Sequence, residues 1–469
     1  MIRKQDILDR SVEWQLRPEV VEKDYVLGWL LAGLAQMPFC DLWIFKGGTC
    51  IKKCYFETYR FSEDLDFSLL PSASYSQEAL IEQLRALTTS VAEASGLEFP
   101  GDQIDVKPRR NQQGHPTFEG RVAYRGPLVY PGTPKIRFDF TQQEPVIEEP
   151  VGRPILHPYP DELPESAIVS AYSFNELLAE KTRALLERSR PRDLYDVVHL
   201  LENAPSDLDL GGVQRLFGQK CANKSVAVPS SAEFIRLVNA DAELGSEWSN
   251  MLAHQLPALP NLDDFLAKLP PLLAWIDSPL EPLAETRLPV VSSNPTETPV
   301  VAHGIRYWGS NSPLEAIRFA ATNRLLVEFN YHGVHHRVEP YSVRQAQTGN
   351  VLLYGWELAA GHIKAYKVNE ISDARSTGAG FLPRYQVEIS AFGPLSAAPI
   401  GRREPLTHQR ERSSRSVAGS RGPVYVFECP NCQKRFSHST NDPTLRQHKR
   451  KDRWGDCPSR RAYLVDTRY

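Results

Sequence analysis

The chain has 469 residues, 41% of them apolar and 24% charged, with a formal charge of −3; it is too long for one hydrophobic core and too apolar for a disordered or fibrous polymer, so two or three globular units are expected. Residues 401–469 carry sixteen Lys and Arg against seven Asp and Glu, a surplus of nine that leaves the first 400 residues at −12, so affinity for a polyanion is best placed in the tail. The N-terminus MIRKQDILDRSVEW lacks the apolar run of a signal peptide, and the most lipid-like stretch, VLGWLLAGLAQM, is only twelve residues long; a cytoplasmic protein with no membrane partner is the expectation.

In chain order, VVEKDYVLGWLLAGLAQ (20–36) reads as a mostly buried helix, DLWIFKG as a short strand, and FKGGTCIKKCY as a glycine turn running into a helix. DLDFSLL is a second strand, QEALIEQLRALTTSVAEASG an amphipathic helix ending at Gly96, and RVAYR and KIRFDFTQ further strands. After residue 173 the pattern is almost wholly helical. PLEPLAETRLPVVSSNPTETPVV reads as a linker, then SPLEAIRFAATNR as a helix, and LLVEFNYHG, HHRVEPYSV, NVLLYGWEL, IKAYKVNEI and YQVEISAFG as the strands of a small barrel or sandwich. The expected organisation is therefore α+β: a first domain over 1–278, a linker over 279–311, a β-rich domain over 312–400, a basic linker over 401–422 and a cysteine-bearing module over 423–469.

A strand period of two puts Asp64 and Asp66 on one face of DLDFSLL, opposite Leu65, Phe67 and Leu69, and puts Asp139 on the corresponding face of KIRFDFT. Carboxylates side by side resist joint ionisation unless a cation lies between them, so these three residues are expected to hold Mg2+ for phosphoryl or nucleotidyl transfer. Gly47, Gly48 and Thr49 would let backbone N–H groups approach a triphosphate at the start of a helix. In ELLAEKTRALLER, Lys181 falls within the apolar stripe, where it needs an anion; a nucleotide phosphate or a structural carboxylate would serve. Asp193, early in PRDLYDVVHLLE, reads equally as a helix N-terminal charge or as a site residue.

The blocks VEKDYVLGWLL, FKGGTCIKK, RFSEDLDF and ELLAEKTRALLERSRPRDLYDV, across about residues 15–205, resemble the AbiEii/AbiGii family of nucleotidyltransferase toxins. The resemblance implies a polymerase-β-like core with a helical C-terminal lobe. It implies transfer of a nucleotide from an NTP to an acceptor, in several members the 3′ end of tRNA, by a toxin or antiphage effector with a cognate antitoxin. It also implies catalytic roles for Asp64, Asp66 and Lys181, phosphate contacts from Gly48 and Thr49, and a nucleotide-site position for Ser62. The other class of function is a regulator that binds nucleic acid or a ligand on an inactive transferase fold.

Residues 335–385 resemble a WYL domain, whose Sm-like barrel is associated with sensing nucleic acids or ligands; Leu353, Tyr354, Gly355 and Trp356 stand where that family's naming triplet would be. Arg337, Tyr341, Arg344, Lys364 and Lys367 are its candidates for facing a polyanion. In the tail, Cys429, Cys432, His448 and Cys457 have the spacing of a structural Zn2+ site resembling a zinc ribbon, with His438 as the rival for the fourth place. Phe436, Trp454 and the surrounding Lys and Arg suit nucleic acid.

Overall fold

A computed structural model of the chain describes residues 1–71, 75–110, 116–278, 288–291, 296–300, 313–392, 424–429, 431–432, 434–438, 444–445, 457–459 and 462–468. The chain divides into two compact units, Met1–Gly401 and Arg402–Tyr469. Both expected linkers lie largely outside the described residues.

The first unit opens with helices α1 (Lys4–Trp14) and α2 (Pro18–Leu34). Proline at the first turn starts α2, and its side chains from Tyr25 to Leu34 are buried on every side, which explains why its sequence shows little amphipathic rhythm. Then come β1 (Trp43–Lys46), α3 (Gly47–Cys50), β2 (Asp64–Leu69), α4 (Gln77–Ser95), β3 (Ile104–Arg110), β4 (Pro116–Ala123), β5 (Lys135–Thr141), β6 (Val151–Pro154) and β7 (Ile168–Ala171). Helix α4 is capped by the Ser76 hydroxyl, which accepts from Ala79 N–H at 3.2 Å, and stops at Gly96 with φ +74°.

These strands form one mixed sheet in the order β3-β4-β5-β2-β1-β7-β6. Strands β2 and β5 are parallel neighbours, while β1–β2 and β4–β5 are antiparallel. Alternation sorts the faces: Phe67, Phe138 and Phe140 stack on the buried side, and Gly120 leaves room there for Leu84 of α4. The polar residues of β2 and β5 consequently share the opposite face.

Six helices follow: α5 (Phe174–Arg188), α6 (Pro191–Glu202), α7 (Leu210–Asn223), α8 (Ser231–Ala240), α9 (Ala242–Leu252) and α10 (Leu262–Leu272). They bear out the helical reading after residue 173. Beyond them lie β8 (Thr298–Pro299), α11 (Leu314–Thr322), β9 (Leu325–Tyr331), β10 (Val334–Gln345), β11 (Val351–Glu357), β12 (His362–Lys367) and β13 (Ile371–Gly380).

This second sheet runs β12-β11-β10-β9-β13, with β8 added to β10. Among the described residues it stays open, with β12 and β13 at its ends, so the expected barrel closure is absent from the pairing. Its last strand also differs from the expectation. The described residues of YQVEISAFG, 385–392, form no ladder; they are held by single bonds such as Glu388 N–H to the Tyr341 carbonyl at 2.7 Å. The place on β9 is taken by ISDARSTGAG, whose glycines permit close backbone approach to the helical lobe: a Cβ on Gly378 would lie 2.6 Å from the Leu259 carbonyl oxygen. Helix α11 packs toward the first sheet and its helical lobe, where Tyr195 donates to Asn323 Oδ1 at 2.7 Å and Arg318 lies 3.5 Å from Glu57.

The second unit contains β14 (Val424–Glu428), β15 (Arg435–His438) and β16 (Tyr463–Arg468), antiparallel in the order β15-β14-β16. Among the described residues, no helix is long and apolar enough to cross a membrane.

Candidate active site

Asp66 stands directly opposite Asp139 across β2 and β5, and Asp64 opposite Arg137. The Asp66 row continues in both directions, to Lys46 on β1 and Glu119 on β4. One line of the open face therefore reads Lys46, Asp66, Asp139, Glu119. Burial, reinforced by Asp64, raises the Asp66 carboxyl above its ordinary range against the pull of Lys46, Lys181 and Arg137. Burial and the neighbouring Asp66 push Asp139 up to about 6, although Arg137 Nη2 lies 2.9 Å from its carboxylate. Negative charge is thus incompletely compensated at the place where the strand period put it.

These three carboxylates are neighbours without forming a closed cage. Among the described residues, the one group of three or more acidic, His or Cys side chains with all donor atoms within 4.8 Å is Cys429, Cys432 and Cys457. The oxygen donors of Asp64, Asp66 and Asp139 nonetheless suit Mg2+, and the raised carboxyls mark a spot where a cation would relieve repulsion. Arg137 occupies part of that role at Asp139.

Gly47 has φ +80°, and a Cβ there would lie 2.2 Å from Asp66 Oδ2; only glycine lets the backbone rest against that carboxylate. A Cβ on Gly48 would meet Arg60 Nη2 at 2.6 Å and Ser62 Oγ at 3.0 Å, which brings Ser62 to the same corner. The helix expected after the glycines begins at Gly47 itself and widens into a π-turn over Ile51–Tyr55. Its lysines are not presented to a ligand: Lys53 pairs with Asp24 at 2.5 Å and Lys52 donates to the Glu57 carbonyl, both buried. Thr49 is fully buried, and its hydroxyl donates to the Asp64 carbonyl at 2.5 Å. That side chain fixes the entry of β2 and is engaged there, not turned toward a phosphate.

Lys181 meets its anion inside the protein. Its Nζ is 2.7 Å from Asp196 Oδ2 and 3.7 Å from Asp193 Oδ1, so of the two expectations the carboxylate is the one this structure realises. Asp193 is held by Arg188 through contacts of 2.7 and 3.0 Å. Asp196, completely buried, also receives Arg60 Nε at 2.6 Å and Nη2 at 2.8 Å and the Tyr59 hydroxyl; Arg60 and Lys181 hold its carboxyl well below the usual range despite burial.

Asp196, Arg60, Lys46 and Glu119 were missed by sequence reasoning. The available signals were Asp196 three residues after Asp193 on one helix face, and Arg60 two residues before Ser62. Lys46, next to Gly47, pairs with Glu144; burial disfavours its charge, but Glu144 and Glu180 hold the ammonium above its ordinary pKa.

The cations proposed for the second sheet are engaged locally: Arg344 with Glu388 at 2.7 Å, Lys367 with Glu370 at 2.9 Å, Arg337 with Glu328 at 3.6 Å, and Lys364 with Glu357. Tyr341 is buried and donates to Glu339 at 2.5 Å. In the second unit, Cys429 Sγ and Cys457 Sγ are 3.6 Å apart with Cys432 beside them. His448 and Trp454 lie outside the described residues, and β15 ends at His438.

A sheet that pairs a Gly-Gly helix start with carboxylates on adjacent parallel strands, backed by a helical lobe, has the parts that metal-assisted nucleotidyl transfer requires. The family model "Nucleotidyl transferase AbiEii toxin, Type IV TA system" matches residues 29–269, more than half of the chain, and the chain belongs to that family. Among solved structures it is similar to MenT4, a nucleotidyltransferase toxin from Mycobacterium tuberculosis H37Rv, with 19% identity, a TM-score of 0.43, and coverage of 60% of this chain and 91% of that one. It is also similar to the proteasome accessory factor B/C (PafBC) of Arthrobacter aurescens, with 11% identity, a TM-score of 0.16, and coverage of 33% of this chain and 22% of that one. No curated protein matches it.

Proposed function

We propose that this nucleotidyltransferase moves a nucleotide from an NTP to an RNA acceptor, the 3′ end of tRNA foremost, as a prokaryotic toxin or antiphage effector restrained by a cognate antitoxin. The observation that carries the reading is the Asp66–Asp139 pairing with the Gly47 backbone packed against Asp66. Asp64, Asp66 and Asp139 would hold Mg2+, which when bound neutralises charge between carboxylates and triphosphate. Gly47 and Gly48 provide the close backbone approach for the phosphates, with Ser62 at their side. Asp139, directly opposite Asp66 on the neighbouring strand, is suited to take the proton of the attacking hydroxyl as the new oxygen–phosphorus bond forms and pyrophosphate departs. Lys181 and Asp193 act from the helical lobe, where Asp196 orients Lys181.

In this reading Cys429, Cys432 and Cys457, with His448, bind structural Zn2+, and the second sheet is a WYL-like module. The test incubates the full chain with each α-labelled NTP, Mg2+ and total tRNA, and follows the label. The expected result is one preferred nucleotide joined to RNA, sensitive to ribonuclease and absent with excess EDTA. Label that ends in free nucleoside diphosphate with none joined to RNA, or label left in unreacted NTP for all four nucleotides, would overturn it.

A further inference from the structure

Beyond Asp139, the open face of the sheet carries a feature that the transfer site does not use. Glu119 on β4 is approached by three guanidinium groups from three strands: Arg121 at 2.8 Å, Arg137 at 3.7 Å and Arg109 at 3.9 Å. Lys107 lies opposite Glu119 on β3, and Arg121 stands between Arg137 and Asp105 in the next row. Glu119 is only 12% exposed, whereas Arg109, Arg121 and Arg137 are 57, 51 and 47% exposed. Glu119 holds Arg121 closely and draws in Arg109 and Arg137, the last also bound to Asp139, while much of each fork faces outward. Asp139 takes Arg137 at 2.9 Å and Asp105 lies 3.4 Å from Lys107, so Lys107, Arg109, Arg121 and Arg137 stand against Asp105, Glu119 and Asp139, a surplus of one positive charge, with the exposed forks of Arg109 and Arg121 offering donors for bidentate phosphate contacts.

Its position follows from in-line displacement. The glycine backbone that would receive the triphosphate is on the β1 side of Asp66, so pyrophosphate leaves toward β1 and the attacking hydroxyl must arrive from the other side. That side is β5 and then β4, where the arginines stand. From β1 to β4 is three strand spacings, about 14 Å, which leaves room for a nucleotide and an acceptor end between them.

We propose that the outer face of β3, β4 and β5 is the acceptor platform: Arg109, Arg121 and Lys107 bind the phosphodiester backbone of a single-stranded RNA end and deliver its terminal hydroxyl to the carboxylates. This rests on the transfer reading above, and it extends that reading by assigning the acceptor a surface. A polymer with a phosphodiester chain and a terminal hydroxyl satisfies both the forks and the chemistry.

The test uses the full chain and two double variants, Arg109→Gln/Arg121→Gln and Lys107→Gln/Arg109→Gln; the second leaves the Arg121–Glu119 pair intact in case the first unfolds. Binding of a fluorescent single-stranded RNA with a free 3′ hydroxyl is measured by anisotropy across a salt series, beside binding of a fluorescent NTP with Mg2+. RNA affinity should fall by about tenfold or more, with the salt slope reduced by about 0.7 for each phosphate no longer neutralised, while NTP binding is unchanged. Unchanged RNA affinity in a folded variant overturns the platform, as does wild-type protein that binds no RNA and labels a protein instead, although transfer itself would then stand. Arginine-dependent RNA binding without any nucleotide transfer upholds the platform and removes the transfer reading.

Discussion

Asp66 and Asp196 both feel the charge of Lys181, and the protein treats their own charges in opposite ways. Asp196 is fully buried with Arg60, Lys181 and Tyr59 around it, so its ionised form is strongly favoured. Asp66 is shielded from solvent and lies near Asp64, so its ionised form is disfavoured. Removing Asp196 strands two buried cations: Asp196→Ala is expected to cost about 3–5 kcal/mol of stability. Asp66→Asn removes an uncompensated charge, and its melting temperature should equal or exceed that of the wild type, the usual mark of a site that trades stability for chemistry. Thermal denaturation of the two variants near neutral pH checks this; a large loss for Asp66→Asn would show that its charge is structural. Of these two residues only Asp66 was legible in the sequence, because strand alternation exposes a carboxylate pattern. Asp196 sits in a helix beside apolar neighbours, and its partner Arg60 is 136 positions away.

At the scale of elements, the glycine start of α3 and strand β2 form one device. The left-handed φ of Gly47 and the 2.2 Å approach of a Cβ to Asp66 predict that Gly47→Ala must move either the helix start or the carboxylate. Backbone strain alone should cost about 1–2 kcal/mol. Transfer activity should fall much further than the melting temperature implies; an alanine variant of unaltered activity would detach Gly47 from the site. The Gly-Gly signal and the carboxylate strands were readable because backbone freedom and period-two alternation are local properties. Strand β13 was not, because ISDARSTGAG has neither apolar alternation nor β-branched density, and becomes a strand only through β9 and the helical lobe beside it. YQVEISAFG had the local pattern, but its backbone bonds singly to Pro289, Tyr341 and Thr58 and not along one strand.

Across the whole molecule, residues 1–401 pack as one unit in which the second sheet and α11 lean on the helices that carry Lys181 and Asp196. Linker composition near 279–301 marked a change of chain character, yet tertiary bonds such as Asn261 N–H to the Gly378 carbonyl at 3.0 Å join what lies on either side. Such bonds link residues more than a hundred positions apart and leave no local trace in composition. The basic tail and its cysteines were legible from charge and spacing, and three of the four proposed zinc ligands are indeed together.

If the Asp64, Asp66 and Asp139 face cleaves an NTP between its α and β phosphates, pyrophosphate and transferred nucleotide must appear together. Mg2+-dependent pyrophosphate release is therefore to be measured alongside nucleotide incorporation, for the wild type and for Asp66→Asn at matched folded concentration. The wild type should yield equal amounts of pyrophosphate and incorporated nucleotide, and the variant should lose both by at least about a hundredfold, a barrier rise of about 2.7 kcal/mol. Incorporation by folded Asp66→Asn at the wild-type rate would contradict the assignment of this face as the catalytic one.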